Sequence, residues 1–298
     1  MIPPTSIDGT DITGSTIDGT DVQEITVDGD VVFSAAPQIE PAGKHFYYIP
    51  TYQDQFEIEY YQLSTPFDVV NRGSPTDLFD PAVAGIFEGS TAVAIRNDGT
   101  KILTCHRDEY ACHDLSTPFD TTNASLAYSG SDLPDPLVGV RATIDIVGDD
   151  RFYLDTDNAE LTQFDLSTPF DIRTRTAAGT HTFNVSCQNV GAPAFSPDGT
   201  IMTVGTRGSD KILQSTCSTP FDITTYDDAN QNTFTTTDND PMTVKWNGDG
   251  TKFFVRHLSP EMLDRYSVST PYTLNGVSFE TRIDTGPSNG TIEFNYNY

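Results

Sequence analysis

Basic residues are scarce in this chain. Of its 298 residues only 16 are Lys or Arg, and five of those are lysines, against 43 Asp and Glu, so the formal net charge is −27. A protein with so few cations cannot neutralise a phosphate backbone, which excludes nucleic acid as a partner. Of only four cysteines, Cys105 and Cys112 read as two buried thiols, with a strained cross-strand disulfide as the alternative, and Cys217 takes a leucine's place in the repeat. No apolar run approaches the length of a membrane-spanning helix, so membrane insertion is not expected. The start, Met1-Ile2-Pro3-Pro4-Thr5, lacks the basic and apolar segments of an export leader. No phosphate-cradling glycine loop, nucleophile elbow or zinc-protease signature occurs. What is plentiful is acid, and an acidic surface of this density suits a protein kept soluble in strong salt, where screening removes self-repulsion.

What is present is a repeat. Leu63-Ser64-Thr65-Pro66-Phe67-Asp68 returns at Leu115 to Asp120, Leu166 to Asp171, Cys217 to Asp222 and, weakened, Val268 to Thr273. Its prolines, Pro66, Pro118, Pro169, Pro220 and Pro271, are 52, 51, 51 and 51 residues apart. A period near 50 is one propeller blade, a unit that buries its faces only against neighbours. Between these phrases lie turns such as Asn97-Asp98-Gly99-Thr100, Asp198-Gly199-Thr200 and Asp249-Gly250-Thr251, each followed by an apolar strand. The layout predicts four strands per unit and five units, an all-β, five-bladed propeller over residues 43–298. The first unit lacks its first strand. Thr291 to Tyr298 supplies a matching segment at the other end of the chain and is expected to pair beside Lys44 to Tyr48, closing the ring and removing exposed sheet edges.

Residues 1–34 carry a different repeat, with Ile7-Asp8-Gly9-Thr10 echoed at Ile17 to Thr20 and Val27 to Asp30. Asp-Gly turns flanked by Ile, Val and Thr read as short hairpins, with Ile7, Ile17, Val22, Ile25, Val27, Val31 and Phe33 as contact residues of an attachment or oligomerisation arm. Residues 35–42, with Pro37 and Pro41, read as a linker.

The repeated aspartates are expected to serve turns rather than catalysis. The aromatics Phe67, Phe119, Phe170, Phe221 and Tyr272 are expected to pack between blades. Connections without repeated phrases lie on the opposite face of the ring, and this varied face is the expected recognition surface. Its candidate ligand-binding residues are Tyr52, Arg107, Tyr110, Asp155, Asp157, Arg207, Asp210 and His257, together with the loop from Asp227 to Asp240. Cys105-His106 and Cys112-His113 share one predicted hairpin, whose register across a turn at Asp108-Glu109 sets the two cysteines opposite each other. The alternation sends these four side chains to both sheet faces, so no metal is expected there, and no cofactor is expected. His113 stands where other blades carry aromatics. On the inner strands, Asp145 and Glu293 are the only paired carboxylates, the pattern that glycoside hydrolysis uses. Ile95, Phe195 and Trp246 are placed level with them. Asn123, Asn184 and Asn289 open glycosylation sequons.

The Ser-Thr-Pro-Phe-Asp and Ser-Pro-Asp-Gly-Thr phrases resemble propeller repeats in structural proteins of tailed viruses and in bacterial surface proteins. The segment from Ile17 to Phe33 is similar to short attachment segments of such virion proteins. With the acidity, this resemblance implies a virion surface protein of a tailed virus infecting halophilic archaea, in a tail fibre, baseplate or capsid spike. It implies no enzymatic activity. The arm would hold the protein to other virion proteins as a homo-oligomer, and the propeller would meet a host-surface glycan or surface-layer protein. Such a protein assembles in the host cytoplasm and acts outside the cell, which accords with the missing leader. A glycan-cleaving propeller and a cell-surface adhesion propeller are the alternatives.

Overall fold

The computed structural model describes residues 42–49, 58–79, 92–106, 108–133, 144–156, 159–259, 261–284 and 291–296, together with four short strands before residue 35. The chain divides into two units, Met1–Glu40 and Pro41–Tyr298. In the first, β1 (Ser6–Ile7) pairs with β2 (Thr10–Asp11) and β3 (Glu24–Val27) with β4 (Asp30–Ser34), both antiparallel. These are the hairpins that the Asp-Gly signals predict. Ile7, Ile25, Val27, Val31 and Phe33 fall on those strands, and Ile17 and Val22 lie outside the described residues.

The second unit is a five-bladed β-propeller. Blade 1 runs, from the axis outward, β25 (Ile292–Phe294), β5 (His45–Tyr48), β6 (Ile58–Gln62) and β7 (Asp77–Phe79). Blade 2 is β8 (Ala92–Ile95), β9 (Lys101–His106), β10 (Glu109–Thr117) and β11 (Asp120–Gly130). Blade 3 is β12 (Ile144–Val147), β13 (Arg151–Thr156), β14 (Glu160–Leu166) and β15 (Arg175–Thr182). In blade 4 the inner strand is split into β16 (Asn189–Val190) and β17 (Ala194–Phe195), both paired with β18 (Ile201–Arg207), followed by β19 (Lys211–Thr216) and β20 (Asn232–Thr235). Blade 5 is β21 (Asn239–Trp246), β22 (Lys252–Ser259), β23 (Glu261–Ser267) and β24 (Ser278–Asp284). Closure occurs as expected: Ile292, Glu293 and Phe294 pair antiparallel with Tyr48, Tyr47 and Phe46.

The repeated phrase has a definite job. Phe67, Phe119, Phe170, Phe221 and Tyr272 all sit in left-handed backbone, with φ between 53° and 66°. That conformation costs a large side chain about 1 kcal/mol or more. Two gains offset it. The backbone N–H of each donates to a carbonyl in the turn before the second strand of its own blade: Phe67 to Gly43, Phe119 to Gly99, Phe170 to Asp149, Phe221 to Gly199 and Tyr272 to Gly250, at 2.7–2.9 Å. Each left-handed turn also aims an aromatic ring inward, and burial of such a ring contributes roughly 1.5–3 kcal/mol. Across four of the seams, the carbonyl of the same residue accepts from the preceding blade. Tyr47 donates to Phe119 (2.7 Å), Tyr128 to Phe170 (2.8 Å), Tyr153 to Phe221 (2.7 Å) and Gln214 to Tyr272 (3.2 Å). At the closing seam the contacts are Phe67 and Phe294 against Phe254, and Arg265 4.0 Å from Asp68. The turn aspartates serve turns: Asp98, Asp198 and Asp249 each accept from the backbone and hydroxyl of the threonine two residues on.

One predicted register is corrected. Glu109 pairs with His106 and Tyr110 with Cys105, so Cys112 faces Leu103 and not Cys105. The turn of that hairpin comes one residue earlier than the Asp108-Glu109 placement, and all four cysteines are free thiols. His113 is buried with its ring edge-on to Phe79, in the aromatic role foreseen for it.

Candidate functional site in the axial channel

Three charged side chains converge at the middle of the ring. Asp145 is on β12, Lys245 on β21 and Glu293 on β25, the inner strands of blades 3, 5 and 1. Lys245 Nζ lies 3.0 Å from Asp145 Oδ2 and 2.7 Å from Glu293 Oε2. All three are buried. Glu293 Oε1 also accepts from the Phe294 backbone N–H at 3.0 Å.

Register explains the meeting. Asp145 pairs with Tyr153, Lys245 with Phe254 and Glu293 with Tyr47, which are matching positions of the second strands. In blades 2 and 4 the same place holds Ala94, opposite Leu103, and Ala194, opposite Thr203. The ring of five is therefore Glu293, Ala94, Asp145, Ala194, Lys245. This corrects the alignment that set Ile95, Phe195 and Trp246 level with the two carboxylates. Those residues match Ile146 and Phe294 instead, one residue on, where side chains point into the blade packing. A slip of one residue on a strand exchanges its two faces, and that slip concealed Lys245.

The electrostatics follow from one cation facing two carboxyls in a dry place. Burial opposes the Lys245 charge, but Asp145 and then Glu293 more than reverse that, so its proton is held more tightly than in an ordinary lysine. Glu293 moves the other way from a usual salt-bridged acid. Burial raises its affinity for a proton, Lys245 opposes this, and Asp145 adds to it, so the group sits at about pH 8. Near neutrality Glu293 therefore favours its protonated form. The arrangement thus holds a fixed cation beside a group that gives and takes a proton close to physiological pH.

Five of the eight expected recognition residues are among the described residues. Tyr52, Arg107 and Asp157 lie outside the described residues. Tyr110, Asp155 and His257 are buried rather than presented to a ligand. Tyr110 packs beside the Arg175 guanidinium. His257 Nε2 lies 3.4 Å from Asp264, which also accepts two hydrogen bonds from Arg282, at 2.8 and 2.9 Å, and one from Tyr266. That acid is consumed within blade 5. Asp210 shapes a turn, its carbonyl accepting from Thr236 N–H and its carboxylate from Asp240 N–H. Arg207 is half-buried at the end of β18, paired with Asn189. Within the Asp227 to Asp240 loop, Asp227 accepts from Ala229 and Asn230, again as a turn residue.

A separate pocket of about 60 Å³ opens beside Trp246, lined chiefly by Phe195, Trp246, Tyr272 and Tyr296. The Tyr272 and Tyr296 hydroxyls are spent on backbone carbonyls, of Gly248 at 2.6 Å and Trp246 at 2.7 Å. The Tyr296 ring centre lies 5.9 Å from Lys245 Nζ. Among the described residues no group of His, Cys, Asp and Glu has a metal-binding arrangement, and no helix is long and apolar enough to cross a membrane.

No protein-family model matches this sequence, and no curated protein matches it. Solved structures do. A protein of Lactobacillus plantarum aligns with a TM-score of 0.50 at 12% identity, over 85% of this chain and 85% of that one. The periplasmic gluconolactonase of Pseudomonas aeruginosa aligns at 0.48 and 13% identity, over 85% of this chain and 70% of that one. A putative 6-phosphogluconolactonase of Bacteroides fragilis aligns at 0.45 and 13%, over 80% and 67%. At such identity the likeness is one of fold. The expectation of a non-enzymatic virion surface protein is not carried further: the neighbours that bear a functional name are named as a gluconolactonase and as putative 6-phosphogluconolactonases, and none as a virion protein.

Proposed function

We propose that this propeller is a hydrolase whose reacting centre is the Lys245–Asp145–Glu293 triad, acting on a small carbonyl ester of the lactone type. The observation that carries this reading is the buried ammonium held between two carboxyls, in a place whose dryness raises the proton affinity of Glu293. Hydrolysis of an ester needs three things. Charge growing on the carbonyl oxygen needs a fixed donor, and the Lys245 ammonium is one, in a site dry enough to make it effective. The attacking water must lose a proton, which Glu293 in its ionised form accepts. The departing oxygen must gain one, which Glu293 then returns. Asp145 touches neither water nor leaving group in this scheme. It holds the ammonium charged and aimed.

Glycoside hydrolysis fits less well. It needs the sugar bond to pass between two carboxyl groups, and here Lys245 Nζ occupies that place. The lactonase names of the structural neighbours supply compounds to try first.

The test is proton release from δ-gluconolactone, δ-valerolactone and simple acyl esters, followed by pH-stat. The wild-type protein should hydrolyse at least one of them, with a rate that rises with pH through about 8. Glu293→Gln and Lys245→Met should each lower kcat/KM by about 10²-fold or more, with circular dichroism confirming a folded ring. Absence of turnover by the wild-type protein on all of these compounds overturns the proposal.

A further inference from the structure

Thr243 on β21 and Thr291 just before β25 stand two residues ahead of Lys245 and Glu293. Side chains two apart on a strand share a face and are displaced about 6.6 Å along it. These threonines therefore form the next step of the channel from the triad, on the side of the varied loops. Thr243 is 1% exposed and Thr291 6%. Neither hydroxyl has a hydrogen-bond partner among the described residues. Elsewhere in this chain a threonine hydroxyl near a strand is used: Thr203 accepts from Gln214 and Trp246, Thr206 donates to the Lys211 carbonyl, and Thr104 donates to the Ala111 carbonyl. The same level of blade 2 offers only Ala92 and that of blade 4 only Ala192, both buried and both small. Two hydroxyls on adjacent blades thus keep unused hydrogen-bonding capacity at one level, beside the methyl groups of Ala92 and Ala192. A buried hydroxyl left unpaired costs free energy that an apolar residue of the same shape avoids.

We infer that the Thr243 and Thr291 hydroxyls bind hydroxyl groups of the substrate, so that the enzyme takes a polyhydroxylated acyl compound, a sugar-acid lactone or its open acid, in preference to a bare ring. This rests on the reading of the triad as the reacting centre for its catalytic part, but its binding part stands without it. Each threonine both donates and accepts, as a vicinal diol requires of its partners. The triad below supplies the charged groups, and the threonines choose which carbonyl compound reaches them.

The experiment compares wild-type protein with Thr243→Val, Thr291→Val and the double variant. Valine keeps the shape and β-branching and removes only the hydroxyl. Thermal melts come first, and removal of an idle hydroxyl should leave the melting temperature equal or higher. Next, kcat/KM is measured for δ-gluconolactone and δ-valerolactone. The wild-type protein should favour the hydroxylated ring by tenfold or more, each single variant should lose about tenfold of that preference, and the double variant should discriminate less than about threefold. A preference that survives in the double variant overturns the inference. If wild-type protein hydrolyses neither lactone, titration calorimetry with gluconate decides it. Binding to wild type but not to the double variant upholds the threonine site while the hydrolase reading falls. Equal binding to both, or to neither as when the hydroxyls hold only ordered water, overturns the threonine site as well.

Discussion

Glu293 holds a proton that the unfolded chain releases, and this has a sign. Its folded affinity lies near pH 8 and its ordinary value is 4.5. Between those limits the native state binds more protons than the unfolded state, so stability falls as pH rises from about 4.5 to about 8 and levels off above. Urea denaturation followed across that range should show the decline, and Glu293→Gln should flatten it; an unchanged slope in the variant would show that another group is responsible. His45 acts in the opposite sense. Burial, and then the neighbouring Lys44, lower its affinity to about 4, so it withdraws stability on acidification from pH 6.5 downward. At this scale the sequence was partly legible. Asp145 and Glu293 stood out because acids are rare on inner strands. Lys245 did not, because the alignment of blade 5 slipped by one residue and placed Trp246 there. A strand carrying Lys next to Trp offers two candidate faces, and only the pairing of Lys245 with Phe254 selects one.

At the scale of elements, the repeat phrase and the turn before the second strand form one device: a left-handed aromatic docked on a left-handed turn residue, a glycine in four blades and Asp149 in blade 3. Gly199 has φ +70°, and a Cβ there would stand 2.4 Å from the Phe221 ring. Gly73 has φ +74° but open space around it. Gly73→Ala should therefore cost about 1 kcal/mol, the backbone penalty alone. Gly199→Ala should cost roughly 2 kcal/mol more, because the ring must leave its place. Chemical denaturation measures both, and equal losses would mean that the ring is not held by the turn. The five-fold return of this device made it readable without coordinates, since turn chemistry is local. The hairpin of Cys105 and Cys112 was misread for the complementary reason. It occurs once, and no second copy corrected its register. The buried positions of Tyr110, Asp155 and His257 were hidden too, because a strand end beside a loop reads as exposed until the neighbouring strand and blade are placed against it.

At the scale of the whole molecule, the chain carries a net charge of −27, and among the described residues eight of its lysines and arginines are engaged in ion pairs. The screening length falls from about 10 Å at 0.1 M salt to about 3 Å at 1 M. Self-repulsion among acids should fade over that range, so the melting temperature should climb steadily with sodium chloride up to about 1 M or beyond. A flat or falling profile would remove the basis for a high-salt habitat. The closing strand ties this scale to chemistry, because Glu293 rides on β25 and reaches Lys245 only when the ring is sealed.

The sequence by itself determined the number of blades, the turn devices and the offset that makes the last strand complete the first sheet. Those are set by local conformational preference and repeated five times, so each copy checks the others. The tertiary structure alone decided which inner-strand side chains face the axis and which meet there. That depends on strand register and on the approach of blades about a hundred residues apart in the chain, as Asp145 and Lys245 are, and a one-residue shift that leaves composition and period untouched reverses the answer.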